Sequence, residues 1–288
     1  MGYYARFFHV AERNKNEKEM KESKMTKPTV KMLESQMNDL ARDKGRDVTN
    51  VFVDFLDYII GFFNPLQTPI QGWSEKYEQA DNERFYAMMR TYFEVMECEL
   101  NRNAWYDAFG DLFQAIHVKG NNNAQFFTPP SLCDLMAETS LETYHGEEPT
   151  TKTTFGKRIV ISDPSCGSGR NLLAAKAIFD RKQWREPYLV CEDIDLTCCK
   201  MSAINLAMHG CFGETICHDT LCEPDKVRFG YIVNETMWPF QTGIPSIRPC
   251  GDSGRFFGTR IRKERKNVAN GSNKTNGNDG KPKQLTLF

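Results

Sequence analysis

Hydrophobic positions recur at two periods along this chain, and the change of period divides it. Between residues 31 and 63, Leu33, Met37, Leu40 and Ala41 repeat at steps of three and four, as do Val51, Phe55, Tyr58 and Ile59. That spacing marks the buried face of a helix. Asn64 and Pro65 end the pattern, because proline removes a donor and cannot continue the ladder. A third helix is predicted from about Asn82 to Cys98, with Phe85, Met88, Met89, Tyr92, Phe93 and Met96 on one side. A fourth, near Trp105 to Ile116, carries Phe109, Leu112, Phe113 and Ile116. Methionine and aromatic stripes at helical spacing are core positions.

Past Gly120-Asn121-Asn122-Asn123 the character changes. From residue 157 onward, short apolar runs alternate with helical patterns. Arg158 to Ile161, Tyr188 to Cys191, Glu214 to Cys217 and Phe229 to Val233 read as strands; Asn171 to Phe179 and Thr197 to Met208 read as helices. Such alternation predicts a parallel, doubly wound α/β sheet with right-handed crossovers. The organisation expected is an arm over 1–30, a helical region over 31–119, an α/β core over 120–250 and a tail over 251–288. The tail opens with a basic run, Arg255 to Lys266, that suits either DNA phosphates or a solvated face. An Asn-, Gly-, Ser- and Lys-rich stretch of flexible composition follows.

Composition narrows the function classes. With 37 basic and 38 acidic residues the net charge is -1, so any nucleic-acid contact must come from a local patch. The N-terminal residues lack a signal-peptide pattern, and the longest apolar stretch, Val51 to Phe63, is broken by Asp54 and Asp57; no membrane association is expected. Ten cysteines without a CxxC pair point to free thiols in a reducing, cytoplasmic setting and to no metal site.

The strongest local signal is Asp163-Pro164-Ser165-Cys166-Gly167-Ser168-Gly169, which follows a strand and opens a helix. Gly167 and Gly169 permit a tight turn and close main-chain approach by a ligand. Asp163 disfavours a phosphate there and suits a cationic group such as an ammonium. A strand-to-helix turn without a ligand would look similar taken alone. Asp193 ends the second strand, where such folds hold ribose hydroxyls, and Asp219 follows the third. Three acids at successive strand ends fit an adenosine bearing a cationic amino-acid tail.

Four segments in register resemble the adenine-N6 DNA methyltransferases, specifically the modification subunits of type I restriction-modification systems. They are Asp163 to Gly169, Gln125-Phe126-Phe127-Thr128-Pro129, Asp193-Ile194-Asp195 with Asn205 to Gly210, and Asp219-Thr220-Leu221. The resemblance implies a Rossmann-like S-adenosylmethionine-dependent methyltransferase core with an N-terminal helical region. It implies S-adenosyl-L-methionine as cofactor, held by Phe127, Thr128, Pro129, Asp163, Ser165, Gly167, Gly169, Asp193 and Asp219. DNA would be the substrate, with a specificity or covering subunit as partner.

The family's catalytic Asn, followed by two prolines and an aromatic, ends its fourth strand. Here Asn234 follows Phe229 to Val233, and the next residues are Glu235-Thr236-Met237-Trp238-Pro239-Phe240. Asn234 is therefore the catalytic candidate, with Trp238 and Phe240 as base-stacking candidates in a rearranged loop. About thirty residues remain before the flexible stretch that begins at Asn267, against the family's seven-stranded sheet. A truncated core of four parallel strands in the order 3-2-1-4 is expected, with strand four left as an open edge needing cover. The last residues, Gln284-Leu285-Thr286-Leu287-Phe288, resemble the peptide by which bacterial proteins bind the replicative sliding clamp. Gln284, Leu285, Leu287 and Phe288 would be the anchors on a solvated tether; the other reading is an apolar end that folds back on its own domain. The functions that follow are adenine-N6 methyl transfer, with or without a partner, or a catalytically impaired cofactor-binding module that docks on the clamp.

Overall fold

The computed structural model describes residues 27–120, 127–149, 151–153, 156–222, 226–235, 243–251, 256 and 284–286. Its helices are α1 (Val30–Lys44), α2 (Val48–Phe62), α3 (Trp73–Lys76), α4 (Gln79–Leu100), α5 (Ala108–Gly120), α6 (Pro130–Ser140), α7 (Arg170–Arg181) and α8 (Leu196–Met208). Its strands are β1 (Lys152–Thr153), β2 (Gly156–Lys157), β3 (Val160–Asp163), β4 (Tyr188–Asp193), β5 (Phe212–Cys217), β6 (Phe229–Val233), β7 (Ile247–Cys250) and β8 (Gln284–Thr286). Two compact units result. One comprises Met1–Tyr58 and Ile70–Ala124, the other Ile59–Pro69 and Gln125–Phe288. No helix among the described residues is long and apolar enough to cross a membrane.

The first unit is helical. The helical stretch expected over 31–63 divides at Gly45, whose φ of 60° ends α1 while Arg46 N donates back to Ala41 O at 2.9 Å; the left-handed turn suits glycine. A reciprocal Glu78–Asp81 capping box opens α4, satisfying donors that a helix start leaves unpaired. The aromatic stripe is core, as its spacing predicts. Phe52, Phe55, Phe85, Tyr92 and Phe109 are wholly buried, and the Tyr92 and Phe109 rings stack at 4.5 Å. Each such side chain contributes roughly 2 kcal/mol by burial. Asp54, also buried, is held by Arg46 at 2.8 Å, Lys76 at 2.9 Å and the Tyr77 hydroxyl at 2.8 Å. Burial, with the Asp54 carboxylate beside it, pushes the Tyr77 hydroxyl well above its ordinary value.

The second unit is α/β. Its six-stranded sheet has the order β7-β6-β5-β4-β3-β8. The three strands β3, β4 and β5 are parallel, joined through α7 and α8. Both crossovers step in the same direction along the sheet. With right-handed connections, α7 and α8 therefore share one face. Residues in register share a face, so Val160, Tyr188 and Phe212 stand side by side, and Val190 and Ile232 flank Glu214 in the next row. With Ile216, Cys250 and Phe256 they form the core of the opposite face. This is the expected Rossmann-like half, with its strands in the expected order 3-2-1.

The fourth position departs from expectation. Phe229–Val233 does not lie parallel beside β3; it pairs antiparallel with the far side of β5, and β7 pairs antiparallel with it. The connection from Cys217 to Phe229 is the physical reason. It contains no helix among its described residues and is shorter than the dozen or more residues that a parallel crossover takes. The place beside β3 belongs instead to β8, parallel, with Val160 opposite Gln284 and Ser162 opposite Thr286. Part of the segment expected as a flexible tail is thus the edge strand of the sheet. Sequence periodicity also missed α6, which Pro129 and Pro130 start, and the short β1–β2 pair.

Candidate functional site

The parallel strands place Asp163, Asp193 and Cys217 at one rim. The glycine loop is built there from main-chain bonds. Asp163 Oδ1 accepts from Ser165 N at 3.0 Å, and its Oδ2 accepts from Asn171 Nδ2 at 3.1 Å. Cys166 N donates to Glu192 O, and Gly167 N donates to Asp193 Oδ2, both at 2.9 Å. The loop is therefore tied to the end of β4. Gly169 caps α7 with φ 90°, a conformation that strains any residue with a Cβ. Asn205 Nδ2 on α8 donates to Ser168 O at 2.8 Å, which closes the loop from behind.

The second and third acids join the same assembly. Asp193 Oδ1 accepts from Asp195 N at 2.9 Å, and Asp195 caps α8 by accepting from Thr197 N at 2.7 Å. Asp219 Oδ1 accepts from Leu221 N at 3.0 Å and Cys222 N at 2.8 Å. The neighbouring Thr220 hydroxyl donates to Pro164 O at 3.1 Å and brings that loop against the glycine turn. Ile194 and Leu221 are 55% and 91% exposed, so each places an apolar side chain in solvent next to an acid of the rim.

The acids differ in character. Asp163 is wholly buried, and burial raises its carboxyl despite the bonds from Ser165 and Asn171. Ser165 N in the loop and Asn171 Nδ2 on α7 engage its two oxygens, so Asp163 shapes the turn from within. Burial also raises Asp193, against the bonds from Asp195 and Gly167, but this residue is only partly buried and its carboxylate stands at the rim. Asp219 lies below the ordinary carboxylate range because the backbone N–H of Cys222, then that of Leu221, donates to it.

The Phe127-Thr128-Pro129 segment arrives from the start of α6. A Cβ on Gly167, whose φ is 55°, would meet the Phe127 ring at 2.8 Å, so glycine is required for this approach. The Arg170 guanidinium lies over that ring, 5.7 Å from its centroid. Thr128 O accepts from Cys133 Sγ at 3.5 Å. The structure thus brings Phe127 and Asp193 to the loop of Asp163, Ser165, Gly167 and Gly169, and Asp219 adjoins it through Thr220; Thr128 and Pro129 follow Phe127 in the chain. Sequence reasoning missed Asn171, Arg170 and Thr220. A buried asparagine in the first turn of α7 was the available signal, since such a group requires a partner.

Asn234 is elsewhere. Because β6 runs antiparallel, Val233 lies opposite Gly213 at the start of β5, while the rim lies at Cys217. At about 3.4 Å per residue this is a separation of roughly 15 Å. Asn234 is wholly buried with φ 58°, a left-handed conformation that asparagine tolerates. Its Nδ2 donates to Cys211 O at 2.7 Å and Ala207 O at 3.3 Å, and its Oδ1 accepts from Ser246 N at 3.0 Å. The catalytic candidate thus lies away from the carboxyl rim, and its amide holds the turn after β6. Trp238 and Phe240 lie outside the described residues, as do Leu287 and Phe288; Gln284 and Leu285 are placed by the backbone of β8. No group of His, Cys, Asp and Glu among the described residues could hold a metal ion.

Residues 104–242 match the N-6 DNA Methylase family. That match covers a little under half of the chain. It spans the Phe127 segment, the glycine loop, all three acids and Asn234. Among solved structures, the chain is similar to a protein described as a class I S-adenosylmethionine-dependent methyltransferase from Listeria monocytogenes. The two share 14% identity with a TM-score of 0.41, over 67% of this chain and 53% of that one. It is also similar to the methyltransferase subunit of a type I restriction-modification system from Streptococcus thermophilus. Identity there is 20% and the TM-score 0.35, over 73% of this chain and 44% of that one. The chain thus spans about half the length of each. No curated protein matches.

Proposed function

We propose that this chain is an N-6 DNA methylase and binds S-adenosyl-L-methionine at the rim formed by β3, β4 and β5. We further propose that it transfers methyl to adenine N6 of DNA together with a second polypeptide that grips the base. The observation that carries the reading is the bond from Gly167 N to Asp193 Oδ2, which binds the bare glycine turn to the acid at the end of the next strand. The residues fit such a cofactor. Asp193 stands at the rim with lone pairs left to accept from a ribose diol. The exposed Ile194 and Leu221 offer apolar surface to an adenine ring. Gly167, Gly169, Ser165 and the Phe127-Thr128-Pro129 segment flank the place where a methionine tail would lie. When bound, the cofactor supplies an electrophilic methyl group on a sulfonium.

The need for a partner follows from Asn234. A target adenine at the rim requires an acceptor for its amino protons within hydrogen-bond reach, and the Asn234 amide is spent on Cys211, Ala207 and Ser246 at the far end of the sheet. A specificity or covering subunit would bring that acceptor and the DNA contacts. The sliding clamp is a second proposed partner, through Gln284 to Phe288. Because Gln284–Thr286 pairs with β3, clamp docking requires that strand to leave the sheet. The ten free cysteines suit a cytoplasmic location. The test is transfer of labelled methyl from the cofactor to DNA, by the chain alone and with candidate subunits. Incorporation only with a subunit supports the proposal. Robust incorporation by the chain alone, abolished by Asn234→Ala in folded protein, would overturn it.

A further inference from the structure

The two edges of the six-stranded sheet are finished differently. At the β7 edge, Ile247 N donates to Phe63 O at 3.0 Å, and Pro249 has no N–H to offer. Near the other edge stands β3, the strand that carries the glycine loop, and Gln284–Thr286 pairs along its outer side from far down the chain. β3 is buried over its whole length, and without a neighbour there its outer N–H and C=O groups would form an open edge. The hold of β8 is slight. β4 pairs with β5 from Tyr188 to Asp193, whereas β8 pairs only over Gln284–Thr286. Each main-chain bond contributes a modest net amount, so the shortest pairing of the sheet opens most readily.

The direction of β8 links this edge to the rim. It runs parallel to β3 and sets Thr286 opposite Ser162, one residue before Asp163. Asp163 in turn carries the loop, accepting from Ser165 N at 3.0 Å and from Asn171 Nδ2 at 3.1 Å. Gly167 N, two residues further, is tied to Asp193 at 2.9 Å. Every step from Thr286 to Asp193 is a strand pairing, a neighbouring peptide or a hydrogen bond. We propose that the outer edge of β3 is a peptide-docking edge coupled to the cofactor rim: Gln284–Thr286 seated there holds the glycine loop for the cofactor, and release of that strand weakens cofactor binding.

The ligand class of this edge is an extended peptide added as a parallel strand, held mainly by backbone bonds. Its occupant is the chain's own segment. Close packing along β3 passes a displacement on and does not absorb it, so a β3 freed on its outer side moves Asp163 with it. Linkage is reciprocal. Bound cofactor therefore holds β8 in the sheet, and a partner that captures the peptide, the proposed sliding clamp included, competes with the cofactor without touching its site.

The coupling rests on the cofactor reading, the docking edge on the pairing of β8 alone, and the experiment separates the two. Amide hydrogen exchange of the full chain is followed by mass spectrometry with and without saturating S-adenosylmethionine. The cofactor should slow exchange at Gln284–Thr286 by about fivefold or more and leave the opposite edge, Ile247–Cys250, unchanged. Leu285→Pro removes a backbone donor from β8; in the full chain it should speed exchange at Val160–Ser162 and weaken cofactor affinity, measured by calorimetry, by a similar factor. Asn270→Pro, outside the paired residues, should do neither. Exchange at Gln284–Thr286 that ignores the cofactor, equal slowing at both edges, or a Leu285→Pro chain with open β3 and unchanged affinity would overturn the proposal. Should the wild type show no affinity at all, the cofactor reading fails and the coupling with it, while exchange at Val160–Ser162 in Leu285→Pro still decides whether the edge holds the peptide.

Discussion

Asn234→Ala separates a catalytic from a structural amide, because the two roles predict opposite results. In the structure the substitution strands Cys211 O and Ser246 N, both bonded to the Asn234 side chain in a wholly buried site. Each buried group left without a partner costs about 1–3 kcal/mol. Ala207 O adds less, because it also accepts from Gly210 N. Alanine must further adopt the left-handed backbone at φ 58°, a cost of about 1 kcal/mol. The sum is roughly 3–7 kcal/mol, a large part of the stability of a typical domain. Urea unfolding followed by circular dichroism should show the midpoint falling sharply. Asn234→Gly should recover about 1 kcal/mol of the loss, since glycine accepts the backbone angle. An alanine variant with the wild-type midpoint and no methyl transfer would refute the reasoning and restore the catalytic role.

The remaining predictions concern other parts of the chain. Asp54→Ala leaves Arg46, Lys76 and the Tyr77 hydroxyl without their common acceptor and should cost roughly 3 kcal/mol, read as a lower urea midpoint; an unchanged midpoint would show that the cluster contributes nothing. Burial raises the Asp163 and Asp193 carboxyls in the fold, so the native state keeps protons that the unfolded chain has released. Their contribution is full below the ordinary aspartate value and declines as pH rises through the raised one. Asp163→Asn should therefore lessen the fall in stability on the alkaline side of about pH 4, as measured by urea midpoints across pH. Deleting residues 284–288 uncovers β3 and should speed amide hydrogen exchange at Val160–Ser162; unchanged exchange would show that β8 is not held there. Added sliding clamp should have the same effect on the intact chain if it takes that peptide.

The parallel half of the sheet was legible because its signals are local. A short apolar strand ends at or just before an acid in each of β3, β4 and β5, and a helix follows β3 and β4 within a few residues. The aromatic stripes of α4 and α5 were legible for the same reason, since helical periodicity alone reports the buried face. What failed was the assignment of Phe229–Val233 and Asn234 by analogy of order along the chain. The short connection before Phe229 decided the strand's direction, and that direction carried Asn234 to the wrong end. The placement of Gln284–Thr286 beside β3 was hidden because nothing in a short terminal peptide states which edge it will pair with. Asn171, which holds Asp163, was hidden because its partner is set by the fold and not by sequence neighbourhood.

Calorimetric titration of the purified chain with S-adenosylmethionine tests the central claim most directly. The account predicts saturable binding at one site per chain. Asp193→Ala removes both the ribose acceptor and the anchor of Gly167 N, so the affinity should fall by at least a hundredfold, about 2.7 kcal/mol. The absence of binding heat in the wild type, or equal affinity in the variant, would contradict it.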